Sequence, residues 1–341
     1  MKSANKVFYN TGFLYGKLLI TIFIALFSTR IVLKSLGTED FGIFNLLAGV
    51  IAMLSFLNGA MTITTQRYLS FYLGKGESQK NAEVFKTSIT LHLVIGIVIV
   101  ILLEVLGFFV FDGWLNISSV KIPEAKAVYH FMVISTFFTI NAVPYDAAIT
   151  ANEDLLFDSI IGIFEAILKL VIAFYLLYTD YSKLIIYGGL TAGLTVLIRV
   201  IKTVWCSIKY PESRFGVKFT YNLKLLKEMA AYASWNLFGA LCYVASSQGT
   251  AIILNKFFGV KINASYAVAN QVNSQTQSFS VMMVRAFNPQ IVKSEGSGDR
   301  SRMIRLAVQS SKFSVFLLLI MVIPMIAEMP FILRMWLTNV P

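Results

Sequence analysis

Residues 270–280, NQVNSQTQSFS, hold nine polar side chains out of eleven and no charge, inside a chain that is 57% hydrophobic. Wound as a helix, Asn270, Asn273, Ser274, Gln277 and Ser278 fall on one broad face. Neutral amides and hydroxyls suit two tasks. They can line a wet lumen and bond a hydroxyl-rich ligand, or they can bond one helix to another. Lipid can satisfy neither group. The polar residues also spill onto Gln271 and Gln275, a wider face than one helix seam needs, which favours the lumen. Ser234, Asn236, Ser246, Ser247 and Gln248 add a second polar stripe upstream.

Cations are the other candidates. Lys17 lies well inside the first apolar run, where an unpaired ammonium is costly unless it faces water or a partner. Arg30 stands near the end of that run, Arg67 and Arg285 stand at the ends of two later ones, and Arg199 lies in a fourth. Arginine suits phosphate because its planar fork donates in pairs. The alternative for Arg30 is snorkelling to the interface, and for Arg67 and Arg285 plain retention on the cytoplasmic side. Glu165 and Lys169 form an i,i+4 pair in the favourable order. They either neutralise each other or act as an ion-sensitive coupling switch; Glu104 is a weaker candidate of the same kind.

Catalysis finds no support. The two histidines, His92 and His130, lie in separate apolar runs with no metal-ligand spacing. There is no GxSxG, HExxH or P-loop pattern. Cys206 and Cys242 imply neither a disulfide framework nor a metal site. The reading is therefore a protein that is not an enzyme, with no cofactor and no metal.

The elements that must carry these groups are transmembrane helices. Only 14% of residues are charged, against roughly 25% in soluble domains. Apolar runs of about 20 residues recur, the length that crosses a bilayer core. LHLVIGIVIVILLEVLGFFVF (91–111) is apolar on every face, unlike the alternation of a barrel strand. Nine spans are expected: 7–33, 41–66, 84–111, 126–150, 156–178, 183–208, 228–255, 262–289 and 308–333. Short turns such as LGTED (36–40) and GKGESQKN (74–81) join them. Pro144 and Pro324 are expected to kink two of the spans.

Basic residues collect on alternate connections: Lys2 and Lys6, Lys75 and Lys80, then Lys209, Arg214, Lys218, Lys224 and Lys227, then Lys293, Arg300, Arg302 and Arg305. That places the N-terminus in the cytoplasm. It also accounts for the net charge of +11 without nucleic acid.

An internal repeat runs at an offset of about 222 residues. IVLKSLG (31–37) matches ILNKFFG (253–259), Gly74-Lys75-Gly76 matches Gly296-Ser297-Gly298, and Trp114-Leu115-Asn116 matches Trp336-Leu337-Thr338. Six spans separate the copies, so both enter the membrane in the same direction. This predicts two lobes about an axis normal to the membrane, with substrate between them. The expected units are a six-helix lobe over 1–208, a cytoplasmic linker over 209–227 and a second lobe over 228–341 that holds three helices and is incomplete.

RIVLKSLGTEDFGIFNLLAGV (30–50), QRYLSFYLGKGE (66–77), SYAVANQV (265–272) and FNPQIVKSEGSGD (287–299) resemble stretches of bacterial O-antigen and capsule flippases. Those belong to the multidrug/oligosaccharidyl-lipid/polysaccharide (MOP) exporter superfamily. The resemblance covers essentially the whole chain and implies an all-α, MATE-like two-lobe bundle in the bacterial cytoplasmic (inner) membrane. It implies movement of undecaprenyl-pyrophosphate-linked oligosaccharide across that membrane. The implied partners are this cargo, membrane lipid, and a polysaccharide polymerase with other assembly proteins. Family members have twelve to fourteen helices, and this chain departs by stopping at nine. The alternative within the superfamily is a cation-coupled multidrug exporter. Such exporters carry acids deep in a lobe, whereas spans 7–33, 41–66, 228–255 and 262–289 have none at depth. A membrane-embedded glycosyltransferase would need an acid/base pair and a sizeable external loop, and neither is present.

Overall fold

The computed structural model describes residues 3–52, 55–111, 117–214 and 222–336. Its elements are helices α1 (Ser3–Ala52), α2 (Ser55–Lys75), α3 (Ser78–Phe109), α4 (Ile122–Ala151), α5 (Leu155–Tyr178), α6 (Lys183–Lys209), α7 (Leu223–Gly296), α8 (Arg300–Ala327) and α9 (Met329–Trp336), with a short 3-10 turn at Pro211–Ser213. The described residues contain no strand. The Trp114 anchor and Lys2, Lys218 and Leu337–Thr338 lie outside the described residues.

Two expected turns shrink to single residues. LGTED is not a loop: α1 runs through it and is broken only at Gly37 (φ 76, ψ 174). α7 is broken in the same way at Gly259 (φ 82, ψ 179). This backbone conformation is open essentially to glycine alone, so one residue re-aims the chain without a loop. Each of these helices therefore has a first arm before its glycine and a second arm after it.

The offset of 222 reappears in the backbone. Besides Gly37 and Gly259, Gly76 (φ 73) and Gly298 (φ 79) share a left-handed conformation. The turns around them use the same bonds: Gly76 N–H donates to Leu73 and Glu77 N–H to Tyr72, as Gly298 donates to Glu295 and Asp299 to Ser294. The copies also meet each other. A methyl group on Gly74 would strike the backbone of Lys293, and one on Gly296 would strike the backbone of Phe71. The Gln66 side-chain oxygen accepts from Asn288 Nδ2 at 3.4 Å, across the same offset of 222 positions. Helices α2 and α7 thus pack backbone to backbone around a local two-fold axis, as small residues permit inside membranes.

Seven helices among the described residues are long and apolar enough to cross a membrane. Among the described residues the nine expected spans are helical, but span 41–66 is divided between α1 and α2, and span 262–289 is too polar to count among the seven. On α3 the side chains of Val94, Ile97, Val98, Ile101, Leu102, Val105 and Phe108 are all exposed. Water would penalise so large an apolar patch; lipid does not. The chain is a multi-pass membrane protein. Its buried interior is local to helix junctions. One cluster joins Ile43, Leu47, Leu103, Tyr129 and Leu184. Another joins Leu14 and Leu155 to Met283, Phe287 and Leu306, and so ties α1 and α5 to α7 and α8.

Candidate functional site

Five helices deliver charged side chains to one point. Asp158 stands in the first turn of α5, its side chain 4% exposed. A carboxylate is favoured at a helix N-terminus, yet burial makes it costly unless it is paired. Its Oδ2 accepts from Lys17 Nζ of α1 at 3.0 Å and from Arg285 Nη2 of α7 at 3.2 Å. Its Oδ1 accepts from Lys202 Nζ of α6 at 2.8 Å. Lys202 also donates to Asp146 Oδ1 of α4 at 2.8 Å, and Arg199, one turn earlier on α6, donates to Asp146 Oδ2 at 3.1 Å. Four cations thus meet two carboxylates, and the cluster carries two excess positive charges. Gly162 makes the Lys17 contact feasible. It lies one turn after Asp158, and a side chain there would collide with the Lys17 stem.

A second set of bonds ties α7 to the turn between α4 and α5. Glu153 is buried and accepts from Gln290 Nε2 and Lys293 Nζ, both at 2.6 Å. Asn10 of α1 donates to the Glu153 carbonyl at 3.4 Å, and Tyr15 donates to the Phe279 carbonyl at 2.6 Å. Beside them, Asp154 accepts from Lys209 Nζ (2.7 Å), the Tyr210 hydroxyl (2.8 Å) and Trp205 Nε1 (3.1 Å). Burial alone would raise the Asp154 pKa, but these three donors outweigh it and hold the carboxyl below its ordinary value. The start of the expected linker is packed rather than loose: Glu212 is buried and accepts from Asn152 Nδ2 at 2.9 Å.

A cavity of about 480 Å³ opens beside the cluster, lined by Lys17, Thr21, Asn45, Glu165, Lys169 and Lys202. A neighbouring cavity of about 470 Å³ shares Phe44, Lys169 and Tyr187 with it and is lined by Ser135, Thr136, Thr139, Thr191 and Thr195. Lys169 Nζ donates to Glu165 Oε1 at 2.7 Å, so the pair is closed on itself; Lys169 faces both spaces and Glu165 the first.

The structure brings Lys17 and Arg285 onto one carboxylate, sets Glu165 and Lys169 on the cavity that Lys17 also lines, and leaves the remaining candidates apart. Arg30 is exposed and has no ion-pair partner among the described residues. Arg67 is exposed and stacks on the Tyr232 ring, 4.4 Å from its centroid. Asn270 is half-buried, while Asn273 and Gln277 are exposed. Hydroxyls in this stretch bond their own helix, Ser274 to the Asn270 carbonyl and Ser278 to that of Ser274. Among the described residues, no hydrogen bond joins the side chains of Asn270, Asn273 or Gln277 to another helix. Asn273 and Thr276 line a third cavity of about 480 Å³ against Val322, Met325 and Ile326 of α8. Glu104 pairs with His130 at 3.1 Å on an exposed face. No cluster of His, Cys, Asp and Glu suited to a metal occurs among the described residues.

Sequence reasoning passed over Asp158, Asp146 and Lys202. The usable signal was the spacing of Arg199 and Lys202, one turn apart inside an apolar span, together with two aspartates inside or at the edge of others. Cations so placed need anions, and those were the acids at hand.

No protein-family model matches the chain. It is 20% identical over 308 residues to an uncharacterized membrane protein of Bacillus subtilis (strain 168), EpsK, covering 88% of this chain and 59% of that protein. The chain therefore spans about three-fifths of the length of this relative. Among solved structures, a multidrug resistance MATE family transporter of the MOP superfamily in an outward-facing conformation aligns with a TM-score of 0.82 at 14% identity, over 96% of this chain and 73% of that one. The Vibrio cholerae MATE transporter VcmN aligns at 0.82 and 15% identity, over 98% and 76%. A Pyrococcus furiosus MOP superfamily transporter, described as having a binding pocket of reverse polarity that suggests a different function, aligns at 0.76 and 14% identity, over 94% and 71%. This chain has the MATE-like, two-lobe, all-helical fold.

Proposed function

We propose that the chain is a non-enzymatic membrane transporter, a flippase that moves undecaprenyl-pyrophosphate-linked oligosaccharide across the bacterial inner membrane for surface polysaccharide assembly. One observation carries this reading: four cations from three helices gather on two carboxylates with two charges in excess, beside a cavity that Lys17 and Lys202 help to line. A pyrophosphate cannot enter a low-dielectric path unpaired, and this surplus is the complement it needs. The neutral amides at Asn270, Asn273 and Gln277 suit the sugar portion. In this reading residues 1–208 and 228–341 belong to two lobes joined by the 209–227 linker, and the N-terminus is cytoplasmic. A polysaccharide polymerase and other assembly proteins are the expected partners.

Deletion of the full-length gene should abolish surface polysaccharide and leave drug sensitivity unchanged. Complementation with Lys17→Ala or Arg285→Ala should restore export poorly at normal protein level, and Lys17→Arg better than Lys17→Ala. Normal export from a Lys17→Ala, Arg285→Ala double variant would overturn the reading.

A second reading, a cation-coupled multidrug exporter, is favoured by Glu165 on a cavity wall and by the multidrug transporters among the structural neighbours. It predicts altered drug sensitivity with normal polysaccharide, the reverse phenotype.

A further inference from the structure

We propose that Asp158 is a resident counter-ion that occupies the seat of the cargo's diphosphate, so that cargo binds by exchanging one anion for another at Lys17 and Arg285. The inference rests on the flippase reading and adds to it the binding seat and the group that sets its selectivity.

Asp158 is buried, and each of its neighbours is a cation from a different helix. Both Lys17 and Arg285 rest on one oxygen, Oδ2, at 3.0 and 3.2 Å. One carboxylate oxygen bears about half a charge, so these two cations are under-neutralised. Lys202 is held independently by Asp146 at 2.8 Å and can stay where it is when Asp158 loses its other partners. Arg285 engages Asp158 through Nη2 at 3.2 Å. A guanidinium carries five N–H donors. Its side chain is 35% exposed and that of Lys17 is 24% exposed, so an incoming anion can reach both. Lys17 and Lys202 line the cavity of about 480 Å³, which supplies the approach to the Lys17 side of the seat; Arg285 does not line it and is reached from its own exposed side. Gly162 removes the side chain that would otherwise fill the Lys17 slot.

The exchange has a built-in threshold. A monoanion offers Lys17 and Arg285 no more than Asp158 already gives. A diphosphate brings at least two charges and several oxygens, enough for a charge-assisted bond to each cation. Asp158 therefore selects for multiply charged anions and rejects chloride or a lone carboxylate. Removing its charge should free the seat.

The test is thermal unfolding of purified full-length protein in detergent, titrated with inorganic diphosphate, farnesyl diphosphate or chloride. A ligand that binds only the folded state raises the midpoint with concentration. Asp158→Asn should melt lower than wild type without ligand. Diphosphate should then raise its midpoint more than it raises that of wild type, at about tenfold lower concentration. Chloride should have little effect on wild type and should gain effect in Asp158→Asn. Arg285→Gln in the otherwise wild-type protein should abolish the diphosphate shift, and this arm stands even if Asp158→Asn fails to fold. Farnesyl diphosphate should act at lower concentration than inorganic diphosphate if the seat serves a lipid-linked ligand. Equal potency would overturn that part. Equal diphosphate response in wild type and Asp158→Asn, or a response that survives Arg285→Gln, would overturn the counter-ion proposal. Because no transport is measured, its failure is separable from that of the flippase reading, which falls if deletion leaves polysaccharide intact or if the Lys17→Ala, Arg285→Ala double variant exports normally.

Discussion

The reciprocal glycine contact between α2 and α7 lends itself to a worked test. In Gly296→Ala the new methyl group would stand 3.0 Å from the Phe71 carbonyl carbon and 3.2 Å from its Cα, and would overlap the carbonyl oxygen. Carbon–carbon contacts relax at about 3.5–4.0 Å. The two backbones must therefore separate by roughly 1 Å at this point. The obstacle is main chain, so no side-chain rotation relieves it. Overpacking of this kind costs about 1–3 kcal/mol, and the better helix propensity of alanine returns up to about 1 kcal/mol. The net of about 1–2 kcal/mol corresponds to a loss of about five- to thirty-fold in the equilibrium constant between the state with the two repeats in contact and the state with them apart. The assay is cross-linking of Gln66→Cys with Asn288→Cys by a short bifunctional thiol reagent, in a Cys206→Ser, Cys242→Ser background. Those side chains face each other at 3.4 Å. Cross-linking should slow several-fold in Gly296→Ala and likewise in Gly74→Ala, whose methyl group would lie 2.8 Å from Lys293 Cα. Gly16→Ala, with nothing within 4 Å, should match the parent. A wild-type cross-linking rate and unchanged melting in Gly296→Ala would refute the argument that these backbones touch.

Gly37→Ala and Gly259→Ala should each destabilise by about 1–3 kcal/mol, because both positions need a positive φ with ψ near 180°; melting of the purified variants checks this. The Asp154 carboxyl lies below its ordinary value in the folded protein, so its contribution is present above the unfolded pKa of about 3.9 and is lost as pH falls through the lower folded value. Asp154→Asn should therefore lower stability at neutral pH and narrow its gap to wild type on acidification below about pH 4, read as melting midpoint against pH. Single cysteines at Asn273 and Gln277, in the same cysteine-free background, should react with a small membrane-impermeant thiol reagent; complete protection would mean that the face is sealed against other helices.

Much of the architecture was legible in local composition. Long apolar runs with no period of two can satisfy their backbone only as helices, and loop charge gives an expected sidedness. The repeat was legible because glycine marks backbone conformations other residues avoid: Gly37 and Gly259, and Gly76 and Gly298, take up matching φ values at the same offset. Tertiary structure alone decided how short the Gly37 and Gly259 breaks are, and which charges meet. Lys17 and Asp158 lie 141 positions apart, and Asp158 and Arg285 lie 127 apart. Read locally, Asp158 is an acid at the mouth of a span and Arg285 a cation retained at another. A charge inside a membrane protein is stable only beside its opposite, but sequence distance carries no record of which opposite that is. Helix packing makes that choice: α1 lies against α5, α4 against α6, and α7 crosses both α1 and α2. The gathering of four cations on two aspartates is therefore a property of the fold, while the need for some such gathering was already written in the buried charges of the chain.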